Sequence, residues 1–189
     1  MGTRLTFKPV TRSTAKDFEA LFEAPGGPKY CWCMLFRATP EEIRSAKGQQ
    51  RKTQILERIE ERVPVGLVGY ADGGPAAWVS VAPRDTFRPL GGPDAEDGES
   101  IWSLTCMFVP RRRRGEGLGR QLLKAAIDHA KKRKATMLEA YPVAPDSPSY
   151  RHMGFIPLFE EFGFEEVGKA GTRRHVVRLT LSSSGTGKA

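Results

Sequence analysis

The sequence has no long apolar segment. Its longest apolar stretches, Val63 to Val68 and Cys106 to Val109, are far shorter than the roughly 20 residues that a transmembrane helix requires. The segment from Met1 to Val10 also lacks the apolar core of a signal peptide. We therefore expect a cytoplasmic protein that does not enter a membrane.

Cysteine is scarce, with only Cys31, Cys33 and Cys106 in the chain. Three cysteines cannot all pair, and Cys31 and Cys33 are too close in sequence for an ordinary structural disulfide. The Cys31-Trp-Cys33 segment could begin a zinc motif, but a second closely spaced pair of ligands is missing. We expect reduced thiols and no bound metal.

Acidic residues are too few to balance the basic ones, and the formal net charge is +8. Such an excess predicts an anionic partner, which could be nucleic acid, a membrane surface or a polyphosphate cofactor. Much of it lies in Arg111 to Arg114 and in Lys131 to Lys134, on either side of a predicted helix. The second run complements the negative end of that helix and is not accompanied by an aromatic recognition motif, so we do not expect nucleic acid as a partner.

The hydrophobic pattern predicts a single α/β (α+β) domain over residues 1–181 and a flexible polar tail at 182–189. Strands are predicted at 5–7, 65–71, 76–82, 101–109 and 137–143, with a closing hairpin over 167–181. Helices are predicted after Ser13, after the Thr39-Pro-Glu-Glu42 capping box, after Gly117 and at 155–162. This order predicts a mixed, mostly antiparallel sheet of six to seven strands with helices on its faces.

The most informative segment runs from Cys106 to Arg120, where an apolar strand passes through a basic, glycine-rich turn into a helix. Unpaired N–H groups at a helix start attract anions, and glycines let the backbone approach phosphate oxygens closely. We call residues Arg114 to Arg120 the glycine loop. The sequence predicts an anion-binding site there.

Two other interpretations of the glycine loop stay open. Gly115 and Gly117, with Glu139 about 20 residues on, fit a Rossmann dinucleotide turn, but its third glycine position holds Arg120. The loop could also be an ordinary connection without a ligand. Four arginines beside a helix N-terminus oppose its dipole, however, and a bound anion would remove that conflict.

The segment resembles the GNAT superfamily of N-acetyltransferases, whose main motif is Arg or Gln, two residues, Gly, one residue, then Gly or Ala. Arg114, Gly117 and Gly119 match it, and Gly163-Phe164 matches the usual Gly-Phe before the penultimate strand. The resemblance implies acetyl-CoA as cosubstrate and a sheet that splays at the acyl-CoA site. It implies cofactor contacts from the backbone of Met107, Phe108 and Val109 and from Arg114, Gly115, Glu116, Gly117, Leu118, Gly119 and Arg120.

The candidate proton-transfer groups differ from the usual family pattern. Many GNAT enzymes carry a tyrosine four residues before the Gly of Gly-Phe, but this chain has Phe159 there. Tyr150 and Tyr141 are the alternatives as acid, and Tyr150 is our candidate. Glu139, on the strand beside the acetyl site, is our candidate base, and a salt-bridge partner is the other interpretation of this carboxylate.

The segment from Tyr30 to Phe36 is rich in aromatic and sulfur side chains. It resembles a subset of GNAT proteins with Cys-Trp-Cys here and a Glu-x-Tyr-Pro-Val strand like 139–143. That resemblance implies an acceptor pocket that includes Tyr30, Trp32 and Cys33; core packing is the other interpretation.

Together these features predict direct acetyl transfer to a primary amine of a small molecule or a protein. A non-catalytic acyl-CoA sensor, suggested by Phe159, and a nucleic-acid binding protein remain as alternatives. A homodimer formed through exposed hairpins is also left open.

Overall fold

The computed structural model describes residues 2–181, which form one sheet with helices on both faces. The predicted flexible tail at 182–189 lies outside the described residues. The strands β1 to β7 span Thr6–Pro9, Leu67–Ala71, Gly74–Pro83, Ile101–Phe108, Met137–Ala140, Glu165–Ala170 and Arg174–Thr180. The helices α1 to α5 span Ala15–Glu23, Pro40–Ser45, Gly48–Glu60, Leu118–Lys132 and Ile156–Glu160.

The sheet has the strand order β1-β2-β3-β4-β5-β7-β6. Neighbouring strands are antiparallel except β4 and β5, which are parallel. A parallel pair needs a crossover connection, and α4 provides it. These observations confirm the predicted α/β class and the mixed, mostly antiparallel sheet.

Local sequence signals explain several element boundaries. Thr39 and Glu42 form the predicted reciprocal capping box at the start of α2. In the β2–β3 hairpin, Asp72 and Gly73 have φ of 52° and 80°, as the tight turn requires. The predicted cap of α1 was misplaced by one residue, because Thr14 and not Ser13 precedes its first helical residue.

Two apolar clusters cover the faces of the sheet. Helix α4 buries one side against β3, β4 and β5; its buried residues are Leu118, Leu122, Leu123, Ala126, Ile127 and Ala130. On the opposite face, α1, α3 and the segment between α1 and α2 pack around Trp78, which is fully buried. Among the described residues, none of the helices combines the length and apolarity needed to cross a membrane.

Strands β4 and β5 separate part of the way along their length. Their pairing ends at Leu104 and Ala140, whereas β4 continues to Phe108. Strand β5 therefore ends at Ala140 and not at the predicted Val143. Two residues after Ala140, Pro142 has no N–H to donate to a neighbouring strand. A bulge at Thr105, where Ser80 pairs with Cys106 and Val81 with Leu104, bends β4 at the same level. The edge of β4 that would face β5 is thus open from Thr105 onward.

Candidate functional site

The glycine loop leads directly into α4. Gly117 is the N-cap residue of this helix, with a left-handed φ of 73°, and no side chain caps the helix start. Gly115 also has a left-handed φ, of 88°. Within residues 2–181, the backbone N–H groups of Gly115, Glu116 and Gly117 donate to no protein acceptor. The loop therefore offers a series of free donors beside the positive end of a helix dipole.

Open space adjoins these donors. A Cβ atom at Gly115 or Gly117 would meet nothing within 4 Å. The loop borders a cavity of about 450 Å³ whose lining residues are Val109, Arg113, Arg114, Gly115, Gly117, Leu118, Gly119, Arg120 and Leu158. Three arginines line this cavity; among the described residues Arg113 and Arg120 are paired with carboxylates, whereas Arg114 is not and adds positive charge. The donor groups and the charge suit a diphosphate, as the sequence analysis expected.

The open edge of β4 continues from this cavity into the splay. Met107, Phe108 and Val109 provide the backbone there, and Leu158 at α5 lies across the cavity from Val109. Gly154 packs closely on Met107, because an added Cβ would lie 2.6 Å from the Met107 Cε atom. We call this cavity and the open edge of β4 next to it the cleft, and the segment before α5 lies beside it.

Glu139 is fully buried and belongs to an ion-pair network. Its carboxylate accepts hydrogen bonds from Arg178 Nε at 2.8 Å and from the Tyr141 hydroxyl at 2.5 Å, and Arg84 Nη1 lies 3.5 Å away. Both arginines also donate to the Pro93 carbonyl. The network thus ties the loop between β3 and β4 to β5 and β7.

Tyr141 shares this burial. Burial, followed by the charge of Glu139, raises the pKa of Tyr141, so the hydroxyl stays protonated and donates to the carboxylate. Its oxygen then accepts from the Ser103 hydroxyl at 3.1 Å. These contacts favour the salt-bridge interpretation of Glu139 over proton transfer.

The expectation that Trp32 and Cys33 face an acceptor is corrected by the structure. Trp32 is 3% exposed and stacks on Phe22 with ring centroids 5.2 Å apart. The cation over its ring is Lys52, 5.4 Å from the centroid. Cys33 is also buried and accepts a hydrogen bond from Trp78 Nε1 at 3.1 Å. Trp32 and Cys33 belong to the core, because packing this aromatic-rich segment against the sheet buries more apolar surface than an open pocket would.

Tyr30 differs from these two residues because its side chain is 66% exposed. Its ring lies 5.4 Å from the Arg51 guanidinium, which also donates to the Tyr30 carbonyl. A role for Tyr30 in acceptor binding stays a prediction. The described residues contain no group of three or more His, Cys, Asp or Glu side chains that could hold a metal ion.

Arg37 fixes the segment between α1 and α2 on the sheet. Its Nη2 donates to the Val65 carbonyl at 2.8 Å and to Ser80 Oγ at 3.0 Å, and its guanidinium lies 4.0 Å from the centre of the Phe87 ring. Burial lowers the pKa of Arg37 to about 9, which still leaves it charged at neutral pH. This anchor holds the neighbouring Phe36 in position.

Around Phe36, side chains from four separate segments meet. We call this set the Phe36 cluster; it consists of Phe36, Arg88, Tyr150, His152 and Arg174. The His152 ring stacks on Phe36 at 5.9 Å, and the guanidinium groups of Arg88 and Arg174 lie 5.8 and 5.9 Å from the same ring. Residues 151–153, which include His152, lie against β4, so this cluster adjoins the cleft.

His152 is a candidate that the sequence analysis missed. Burial of part of the ring lowers the pKa of His152, which favours its neutral form, and the residue as a whole is exposed. The available signal was its place two residues after Tyr150, in the segment that leaves β5 at the splay. Tyr150 itself is 40% exposed and has a left-handed φ of 59°. Phe159, at the usual tyrosine position, is buried against Phe164.

Solved structures resemble this fold. The protein yncA of Salmonella typhimurium, solved with its cofactor acetyl-CoA, is 18% identical, with 98% of each chain covered and a TM-score of 0.51. The ribosomal-protein-S18-alanine N-acetyltransferase of Escherichia coli is 17% identical, with 98% of this chain and 99% of that chain covered and a TM-score of 0.53. PaiA N-acetyltransferase of Thermoplasma acidophilum, solved with coenzyme A, is 12% identical, with 94% and 99% covered and a TM-score of 0.53.

A search of curated proteins finds no match to this sequence. The family model described as the acetyltransferase (GNAT) family matches residues 30–164, which is more than half of the chain. That range contains the glycine loop, the splayed strands and the short helix before Gly163. The chain therefore belongs to the GNAT family of acetyltransferases.

Proposed function

We propose that this protein transfers the acetyl group of acetyl-CoA directly to the primary amine of an acceptor. The observation that supports this most strongly is the continuity of the free N–H groups at Gly115 to Gly117 with the open edge of β4. The first suits a diphosphate, and the second can pair with an extended amide-containing arm in the manner of an added strand. Family membership makes acetyl-CoA the acyl donor.

Acetyl-CoA supplies the acetyl group as a thioester. Backbone N–H groups on the open edge between Thr105 and Val109 are suited to polarise its carbonyl oxygen. The amine nitrogen forms a bond to the carbonyl carbon, the carbon–sulfur bond breaks and the sulfur leaves as a thiolate. A thiol has an ordinary pKa near 8.5, so this leaving group needs little assistance. The proton that the amine loses requires an acceptor.

We propose that His152, and not Glu139, is the general base that takes this proton. A base must be within reach of the amine, directly or through one water. The lowered pKa of His152 favours its neutral form and the residue is exposed beside the cleft, whereas Glu139 is fully buried and paired with Arg178.

Tyr150 remains our candidate for returning a proton to the thiolate. Its exposed ring belongs to the Phe36 cluster, with Arg174 5.3 Å from the ring centre. Tyr150→Phe should lower turnover while leaving acetyl-CoA affinity unchanged. Equal turnover of the variant and the wild type would remove Tyr150 from the mechanism.

Two measurements test the proposed function. Calorimetric titration with acetyl-CoA should detect saturable binding, and a panel of amines should release coenzyme A thiol in the presence of the protein. Absence of acetyl-CoA binding would overturn the assignment. Binding without thiol release by any amine would instead support the alternative of a non-catalytic acyl-CoA sensor, which the buried Phe159 first suggested.

A further inference from the structure

Several of the arginines near the sheet ends have carboxylate partners. Arg178 pairs with Glu139, Arg113 with Asp72 and Arg120 with Glu161. Within residues 2–181, neither Arg88 nor Arg174 has a carboxylate oxygen within 4.0 Å. Two uncompensated guanidinium groups therefore lie in the same cluster.

These two arginines also have unused hydrogen-bond donors. Arg88 Nε and Arg174 Nη1 are shielded from solvent by the surrounding protein, yet neither has a hydrogen-bond partner among the described residues. A shielded polar group without a partner typically costs about 1–3 kcal/mol, and more when it is charged. An anion that accepted from both groups would recover this cost.

The arginines are held in place by their backbone neighbours. The Arg88 N–H donates to the Phe36 carbonyl at 3.0 Å, which links the loop after β3 to the segment between α1 and α2. Arg174 begins β7 and forms an isolated bridge with Val143, beside the segment that carries His152. Both guanidinium groups thus flank the ring on which His152 stacks.

From this arrangement we infer that the acceptor amine carries an anionic group, a carboxylate or a phosphate, close to its nitrogen. Arg88 and Arg174 bind that group, Phe36 and Tyr150 provide the adjoining aromatic surface, and His152 faces the amine. This inference rests on the proposed function and specifies its substrate class. The acceptor class is therefore amino acids and related small anionic amines.

The test uses matched amine pairs that differ in the anionic group. One series contains amino acids and their amides; the other contains O-phosphoethanolamine and ethanolamine. The anionic member should have a kcat/KM at least about tenfold higher. The series with the larger ratio distinguishes a carboxylate from a phosphate. Equal or faster acetylation of the neutral members would overturn the inference.

Substitutions of Arg88 and Arg174 test whether these two residues cause the preference for anionic amines. Arg174→Gln and Arg88→Gln should each lower kcat/KM for the anionic member of a pair by about tenfold and lower it much less for the neutral member. Arg173→Gln is the matched control, because Arg173 is exposed and its Nη1 donates only to Ser149 Oγ. An equal loss for both members of a pair would indicate a structural role and contradict the inference. Thermal unfolding of each variant checks that the fold is retained.

A binding measurement keeps this test separate from the proposed function. Calorimetry on the protein saturated with coenzyme A should detect tighter binding of the anionic member, and Arg174→Gln should remove that advantage. If the anionic amines bind selectively but no amine is acetylated, the acetyl-transfer proposal fails and the anion site stands. If amines are acetylated without anion preference, the anion site fails alone.

Discussion

The glycine loop and the Phe36 cluster border the same cleft but are constructed differently. The loop uses backbone N–H groups of consecutive residues, supported by glycines and by one helix start. The cluster uses side chains from four segments that are far apart in sequence. A site made of backbone groups can be recognised from the spacing of neighbouring residues in the sequence. A site made of side chains from distant segments forms only when the chain folds. The predictions below address this difference, from the largest expected effect to the smallest.

Gly117→Glu should abolish acetyl-CoA binding. The new carboxylate would enter the space in front of the free N–H groups and repel the diphosphate, and we expect a loss of affinity of about 100-fold or more. Gly98→Glu is the matched control, because Gly98 also has a left-handed φ, of 83°, and open space around its Cβ position. Calorimetry compares the two variants; unchanged affinity of the Gly117 variant would remove the loop as the phosphate site.

Glu139→Gln should destabilise the protein without affecting the chemistry. Loss of the charge leaves Arg178 without its buried partner, and removing one member of such a pair typically costs about 3 kcal/mol in the free energy of unfolding. Denaturant unfolding measures this, with Glu60→Gln as the control for an exposed ion pair. If kcat of the folded variant fell instead by orders of magnitude, Glu139 and not the Phe36 cluster would hold the base.

His152→Gln should lower kcat by about 100-fold at pH 7, as expected when a general base is removed. In the wild type, kcat/KM should rise with pH through an inflection below the ordinary histidine value of 6.5, because burial lowers the pKa of His152 and only the neutral ring accepts a proton. The variant should lose this inflection while it retains acetyl-CoA affinity. A pH–rate profile with the same acidic limb in both proteins would contradict the role of His152.

His129 should produce a separate pH dependence, in stability and not in the chemistry. Burial, with smaller contributions from Arg133 and Lys132, lowers the pKa of His129 to about 4. Between pH 6.5 and 4 the unfolded chain therefore binds more protons than the folded protein, and stability is lost as the pH falls. We expect a loss of about 2 kcal/mol, reduced from the full value because the ring is partly exposed.

Denaturant unfolding at several pH values measures the contribution of His129. His129→Gln should flatten the dependence over this range, and His152→Gln should leave most of it unchanged. A slope that persists in the His129 variant would assign the effect to other groups. This comparison separates the histidine at the end of α4 from the one beside the cleft.

The fold could be predicted well because its signals are local. The capping box at Thr39, the Asp72-Gly73 turn and the amphipathic period of α4 each depend on neighbouring residues, and the structure contains all three. The end of β5 was predicted less accurately, since its apolar pattern continues to Val143 whereas its ladder stops at Ala140. The apolar pattern of a sequence does not show at which residue the hydrogen bonds between two strands end.

Only the glycine loop, the part of the site made of backbone groups, could be predicted from the sequence. Trp32 was expected to face an acceptor because aromatic side chains suit both a pocket and a core, and sequence alone does not decide between them. His152, Arg88 and Arg174 carried no motif that would single them out. Their shared property, proximity to one aromatic ring, depends on the pairing of β7 with β5 and on the anchor at Arg37.

The sequence by itself determined that an apolar strand leads, through a glycine-rich loop with free N–H groups, into a helix. The glycine spacing and the helix start each depend on only a few neighbouring residues. Only the tertiary structure decided which carboxylate is sealed in an ion pair, which histidine remains accessible and which arginines lack partners. Burial and charge pairing depend on distances between segments far apart in the chain, and those distances are set when the two faces of the sheet are covered.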